Sequence, residues 1–224
     1  MRSRTRRSFL ALTAAASAPV PAALPAHAAP AADHPSSAAR ALARLRAGNR
    51  RYAALRARHP RQDEERRRTV ALSQRPFAVV LGCIDSRVPP ELVFDVGLGD
   101  LLCVRTAGPS LDEAALGSLQ FGVEELGVRL VVVLGHERCG AISATVELAR
   151  TGTTVPGHLA RVVDEIAPAV CSARAAGGDW VENAVRAHVA RVGRTLAGDP
   201  AFSQAAVVGA RFDLDTGRIS FSPF

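Results

Sequence analysis

Between residues 36 and 58 the chain reads SSAARALARLRAGNRRYAALRAR, with Ala, Leu and Tyr recurring among arginines at helical spacing. That pattern predicts a long amphipathic helical arm. A second helical stretch covers 62–74. The period then changes. Short apolar, β-rich runs stand at 77–82 (FAVVLG), 101–105 (LLCVR), 130–134 (LVVVL) and 205–209 (AAVVG). They lack polar alternation, as expected of parallel strands covered on both faces. Helical patterns at 112–126, 139–150, 156–174 and 179–197 lie between and after them. Strands alternating with helices predict an α/β fold with a mostly parallel central sheet flanked by helices. DLDTG at 213–217 is a turn signal. The run after it, 217–222 (GRISFS), is therefore expected to pair antiparallel with 205–213 at the sheet edge.

The first 28 residues change the domain picture. They have a basic start, an apolar middle and a small-residue exit at Ala26-His27-Ala28, the layout of an export signal. Arg6 and Arg7 directly precede Ser8-Phe9-Leu10, which points to the twin-arginine route. Residues 29–37 read as a disordered tether, and 38–224 as one domain. The expected location is periplasmic, cell-envelope or extracellular, in a bacterium. Cleavage after Ala28 would remove four arginines and no acid, lowering the formal charge from +7 to +3. The basic excess is thus largely the signal, and a nucleic-acid partner is not expected. Outside the N-terminus no apolar run approaches the ~20 residues of a membrane span, so none is expected in the mature chain.

Four cysteines, Cys83, Cys103, Cys139 and Cys171, in an exported chain are compatible with disulfides. The alternative is two metal ligands and two small buried hydrophobes. Cys103 lies in an apolar run and Cys171 in a helical pattern, and both read as core. Cys83 and Cys139 stand elsewhere in the pattern. LGCIDSRV (81–88) and LGHERCG (134–140) each follow an apolar strand ending in LG. In open α/β sheets, ligands bind outside the carboxyl ends of the strands. If the two strands are neighbours, Cys83 and Asp85 meet His136 and Cys139. Two thiolates and an imidazole suit zinc, and three protein ligands leave the open position of a catalytic site. Asp85 is either a fourth ligand that closes the site or the partner of Arg87, two residues on, in a bidentate pair. In the second case it orients a zinc-bound hydroxide. A closed structural zinc site and a cysteine nucleophile with His136 as base are the competing readings.

CIDSR at 83–87 and HERCG at 136–140 resemble the CxDSR and HxxCG motifs of the β-class carbonic anhydrases. The likeness runs from about residue 40 to 222, through RAGNRRY, VFDVGLGDLLCVRTAG, FGVEELGV and FDLDTGRISF. It implies one Zn2+ per subunit on Cys83, His136 and Cys139, with Asp85 and Arg87 as catalytic dyad and Asp85 as a fourth zinc ligand in a closed state of some members. The implied reaction is reversible hydration of carbon dioxide to bicarbonate and a proton. The resemblance further implies substrate contacts from Gln74, Leu102, Ala107 and Phe121, and a homodimer or homotetramer with the N-terminal arm over the partner. Packing of the arm across its own sheet is the alternative.

Two positions depart from the pattern. Thr106 stands where many members have Asn. Val80 stands where members with a non-catalytic bicarbonate pocket have Trp, so that pocket is not expected here. Asp85 is then expected on Arg87, rather than on zinc, near neutral pH. Two other functions compete with carbon dioxide hydration: a related zinc hydrolase of carbonyl sulfide or carbon disulfide, and a non-catalytic zinc-binding protein. His59, His158 and His188 are candidates for a proton shuttle only by being histidines, and each reads as a surface residue.

Overall fold

The computed structural model describes residues 34–224. The export signal with Arg6 and Arg7, the exit at Ala28, and residues 29–33 of the tether lie outside the described residues. Helix α1 (Ala38–Ala53) begins at Ser37, whose hydroxyl accepts from the Arg40 backbone N–H, as a helix N-cap should. It ends five residues short of the predicted limit. Leu55 takes a left-handed conformation, φ 57°, which no α-helix continues through. Helix α2 (Glu64–Leu72) is capped by Asp63.

The centre is a five-stranded sheet in the order β2-β1-β3-β4-β5. The strands are β1 (Ala78–Cys83), β2 (Leu101–Thr106), β3 (Leu130–His136), β4 (Ala206–Phe212) and β5 (Ile219–Pro223). β1 pairs in parallel with β2 and β3, β3 in parallel with β4, and β4 antiparallel with β5. The predicted α/β class, parallel core and antiparallel edge hairpin are all present. A short helix that the pattern did not signal, α3 (Pro90–Val93), joins β1 to β2. The remaining helices are α4 (Glu113–Glu124), α5 (Gly140–Thr151), α6 (Leu159–Ala173) and α7 (Trp180–Gly198).

Alternate residues of the two central strands serve opposite layers. Val80, Leu130, Val132 and Leu134 pack with Ala41 and Leu45 of α1 and with Phe94. Val79, Leu81, Val131 and Val133 pack under α4 and α7, against Leu119, Val192 and Leu196. The arm therefore lies across its own sheet. Gly48 makes this close fit possible, because a Cβ there would stand 1.7 Å from the Phe94 carbonyl oxygen. A third cluster, between α5, α6 and α7, includes Cys83, Cys139, Ile166 and Val185.

Three expectations need correction. β2 is only partly covered: it is the sheet edge, and all six of its residues are half-buried, Leu101 and Cys103 packing on one face and Leu102 and Val104 on the other. Cys171 is exposed, not core, because the apolar stripe of α6 falls on Ile166, Ala169, Val170 and Ala173. His188 is not at the surface: it is fully buried on the inner face of α7. All four cysteines are free thiols.

Candidate active site

Register brings the two motifs together. Gly82 of β1 lies beside Leu134 of β3, so both strands end at the same edge of the sheet. Cys83 is the last residue of β1 and His136 the last of β3. Cys139 is the N-cap residue of α5, where the helix dipole favours a thiolate. The turn from His136 to Cys139 is tight: Arg138 takes φ 50°, a conformation that costs a non-glycine residue energy and must be held from outside. Asp215 braces it, accepting from Arg138 Nη1 at 2.9 Å and Nη2 at 2.7 Å.

Cys83 Sγ, His136 and Cys139 Sγ offer ligand atoms all within 4.8 Å of one another. The two sulfurs are 3.9 Å apart. Tetrahedral Zn–S bonds of about 2.3 Å require a separation of about 3.8 Å. His136 Nδ1 bonds the Glu137 carbonyl at 2.9 Å, which assigns the proton to Nδ1 and leaves Nε2 as a lone-pair donor. Nε2 is buried and has no hydrogen-bond partner among the described residues. A buried nitrogen left unpaired is costly; here it points at the two thiols. The three residues fit zinc.

Thiol chemistry points the same way. The Cys139 thiol beside Cys83 pulls the Cys83 pKa down, against burial, with His136 and the Gly108 N–H assisting. The Cys83 thiolate and burial push Cys139 up. Gly108 N donates to Cys83 Sγ at 3.4 Å.

Asp85 stands at the rim. Arg87 Nε donates to Oδ1 at 2.9 Å and Nη2 to Oδ2 at 2.7 Å, and the Arg87 backbone N–H adds a third bond to Oδ1. The Arg87 side chain beside Asp85 holds its carboxyl well below the usual carboxylate range. Oδ2 lies 3.8 Å from His136 Nε2, close to the ligand atoms yet committed to the arginine.

Sequence reading missed Arg105. Its Nε donates to the Cys83 carbonyl at 2.8 Å and its Nη2 to the Asp85 carbonyl at 2.7 Å. It pins the CxD segment to β2. Its signal was present: a charge inside an otherwise apolar strand, LLCVRT. Thr106 donates to the Ser110 carbonyl at 2.7 Å and so ties the following turn.

The expected substrate contacts are less concentrated. Leu102 and Phe121 line one cavity of about 660 Å³ at the β2–α4 edge, and Phe121 is exposed there. Ala107 lines a separate cleft of about 570 Å³. Gln74 is exposed between α2 and β1. His59 and His158 are exposed. A second acidic cluster, Glu137, Asp213 and Asp215, is threaded by Arg138 and Arg211, which pair with all three carboxylates.

A family model described as carbonic anhydrase matches residues 78–219. Carbonic anhydrase 2 of Mycobacterium tuberculosis (strain ATCC 25618 / H37Rv) is 41% identical over 181 residues, which is 78% of this chain and 87% of that protein. A carbonic anhydrase of Mycolicibacterium smegmatis is 40% identical over 182 residues, 78% of this chain and 88% of that protein. Among solved structures, the β-carbonic anhydrase CcaA superposes with a TM-score of 0.61 at 20% identity, covering 80% of this chain and 86% of that one. Tetrameric β-carbonic anhydrases of Sordaria macrospora give 0.62 at 21% identity, covering 78% and 93%. The structural likeness speaks for the fold. The sequence matches, falling on the strands and turns that bring Cys83, Asp85, His136 and Cys139 together, carry the assignment: this chain belongs to the β-class carbonic anhydrase family.

Proposed function

We propose that this enzyme hydrates carbon dioxide reversibly with one zinc ion per subunit, held by Cys83, His136 and Cys139, and that Asp85 and Arg87 act as its orienting dyad. One observation carries the reading. Three ligand atoms converge on one point while the carboxylate beside them, Asp85, is tied to an arginine. When bound, zinc supplies Lewis-acid activation of a water near neutral pH.

The protein's own part follows from Asp85. Both its oxygens are occupied by Arg87, so it stays ionised and off the metal position. It accepts a hydrogen bond from the reacting water and aims the water's lone pair at the substrate carbon. Arg105 fixes the backbone on either side of Ile84, which keeps ligand and dyad in register. The apolar surface of Leu102 and Phe121 suits an uncharged substrate. The half-buried edge strand β2 and exposed Phe121 support a homo-oligomeric assembly across that edge, to which Gln74 contributes a substrate contact from the neighbouring subunit. Residues 38–224 form the catalytic domain, exported through the signal in 1–28 by the twin-arginine route.

Stopped-flow carbon dioxide hydration by the zinc-loaded mature chain tests this, with Asp85→Asn alongside and carbonyl sulfide and carbon disulfide as comparison substrates. The wild type is expected to turn over carbon dioxide. The variant, zinc retained, is expected to lose about a hundredfold or more in kcat. Equal rates in the two proteins would remove the dyad from the mechanism.

A further inference from the structure

On the α1 side of the molecule lies a cavity of about 560 Å³ that the hydration reaction does not use. Helix α1 presents Arg40, Arg44, Ala47 and Arg51 to it, at positions i, i+4, i+7 and i+11. Arg58 and Arg61, from the segment that follows the helix, close the opposite wall. Five guanidiniums thus line one concavity. Like charges at i, i+4 destabilise a helix, and α1 has no acid in its first turn to offset them.

The carboxylates nearby are already committed. Among the described residues, Asp95 is the only carboxylate that lines the cavity. It accepts from Arg51 Nε and from the backbone N–H groups of Arg58 and His59. Asp100, just behind, pairs with Arg44, Arg61 and Arg66. Arg40 bonds the Ser36 hydroxyl at 3.2 Å, and neither Arg40 nor Arg58 has a carboxylate partner among the described residues. These two exposed side chains face a concavity whose positive charge exceeds the negative charge that the described residues bring to it.

We propose that this cavity is a binding site for a soluble, multiply charged phosphate-type oxyanion. Planar guanidiniums bind such groups bidentately. The cavity is larger than one orthophosphate needs and falls in the range of small-ligand sites, so a diphosphate fits it better than a single phosphate. Its concave shape favours a free anion over a flat membrane surface. The site is built from one face of α1, from the segment that follows it and from Asp95–Val96 beyond α3, apart from the cysteine–histidine cluster.

Isothermal titration of the full, zinc-loaded, assembled enzyme with pyrophosphate in 0.15 M chloride tests the proposal. One pyrophosphate per subunit is expected, with orthophosphate weaker. The double variant Arg40→Gln/Arg58→Gln keeps the catalytic residues and is expected to hydrate carbon dioxide normally. Losing even one charge-assisted bond should weaken its pyrophosphate binding about tenfold or more. Wild-type affinity in the double variant would mean that the anion binds elsewhere, the metal included, and overturns the proposal. No pyrophosphate binding by the assembled enzyme overturns it as well. Binding only to vesicles of anionic phospholipid, with none to free pyrophosphate, does the same.

Discussion

Replacing His188 with leucine should change how this protein responds to acid. His188 is fully buried, and neither ring nitrogen has a hydrogen-bond partner among the described residues. Burial pushes its pKa down from 6.5 to about 4, opposed by the carbonyls of Gly108 and Pro109, which face the ring without bonding it. The unfolded chain therefore takes up the proton first as the pH falls. The contribution of this group is fully present above about pH 6.5 and is lost as the pH drops toward 4. At 1.36 kcal/mol per pH unit, the whole difference amounts to about 3 kcal/mol. Leucine has nearly the same bulk and nothing to protonate. The assay is urea unfolding of both zinc-loaded proteins at pH 7.5, 6.5, 5.5 and 4.5. Acid loss of metal is common to both and drops out of the difference. Near pH 7.5 the two stabilities should be close. By pH 4.5 the wild type should have lost about 2–3 kcal/mol more than the variant. Parallel pH curves would refute the reasoning, because they would mean that His188 finds a partner or water in the folded protein.

Arg105→Gln, which releases the Cys83 and Asp85 carbonyls, should lower kcat at least tenfold with zinc still bound, read by stopped-flow and metal analysis. In Gly122→Ala the new Cβ would stand 2.6 Å from Val79 Cγ2 and 2.8 Å from Leu102 Cδ1; overpacking there should cost about 1–3 kcal/mol in denaturant unfolding. Cys171→Ser, on the exposed face of α6, should leave metal content unchanged and stability within about 0.5 kcal/mol.

Much of the molecule was legible in its residues alone, for identifiable reasons. β1 and β3 are covered on both faces, so nearly every position is apolar and the runs stand out. The Cys83, His136 and Cys139 triad was legible because cysteine and histidine after an apolar strand have few other uses. The Asp85–Arg87 pair lies within three residues, so chain proximity sets its geometry. Where inference failed, the deciding contact came from far along the chain. Cys171 and His188 each sit in a helical pattern, and a period gives a face without saying what covers it: α6 turns Cys171 outward, while α7 turns His188 under the turn at Gly108. The sequence determined the elements, the parallel character of their sheet and the identity of the candidate ligand residues, because local periodicity and donor chemistry encode these. Tertiary structure alone decided that β2 forms an edge, that Arg105 reaches back to two carbonyls of the neighbouring strand, and that five arginines converge on one cavity. Those depend on register and on which helix covers which face, and no short stretch of chain records either.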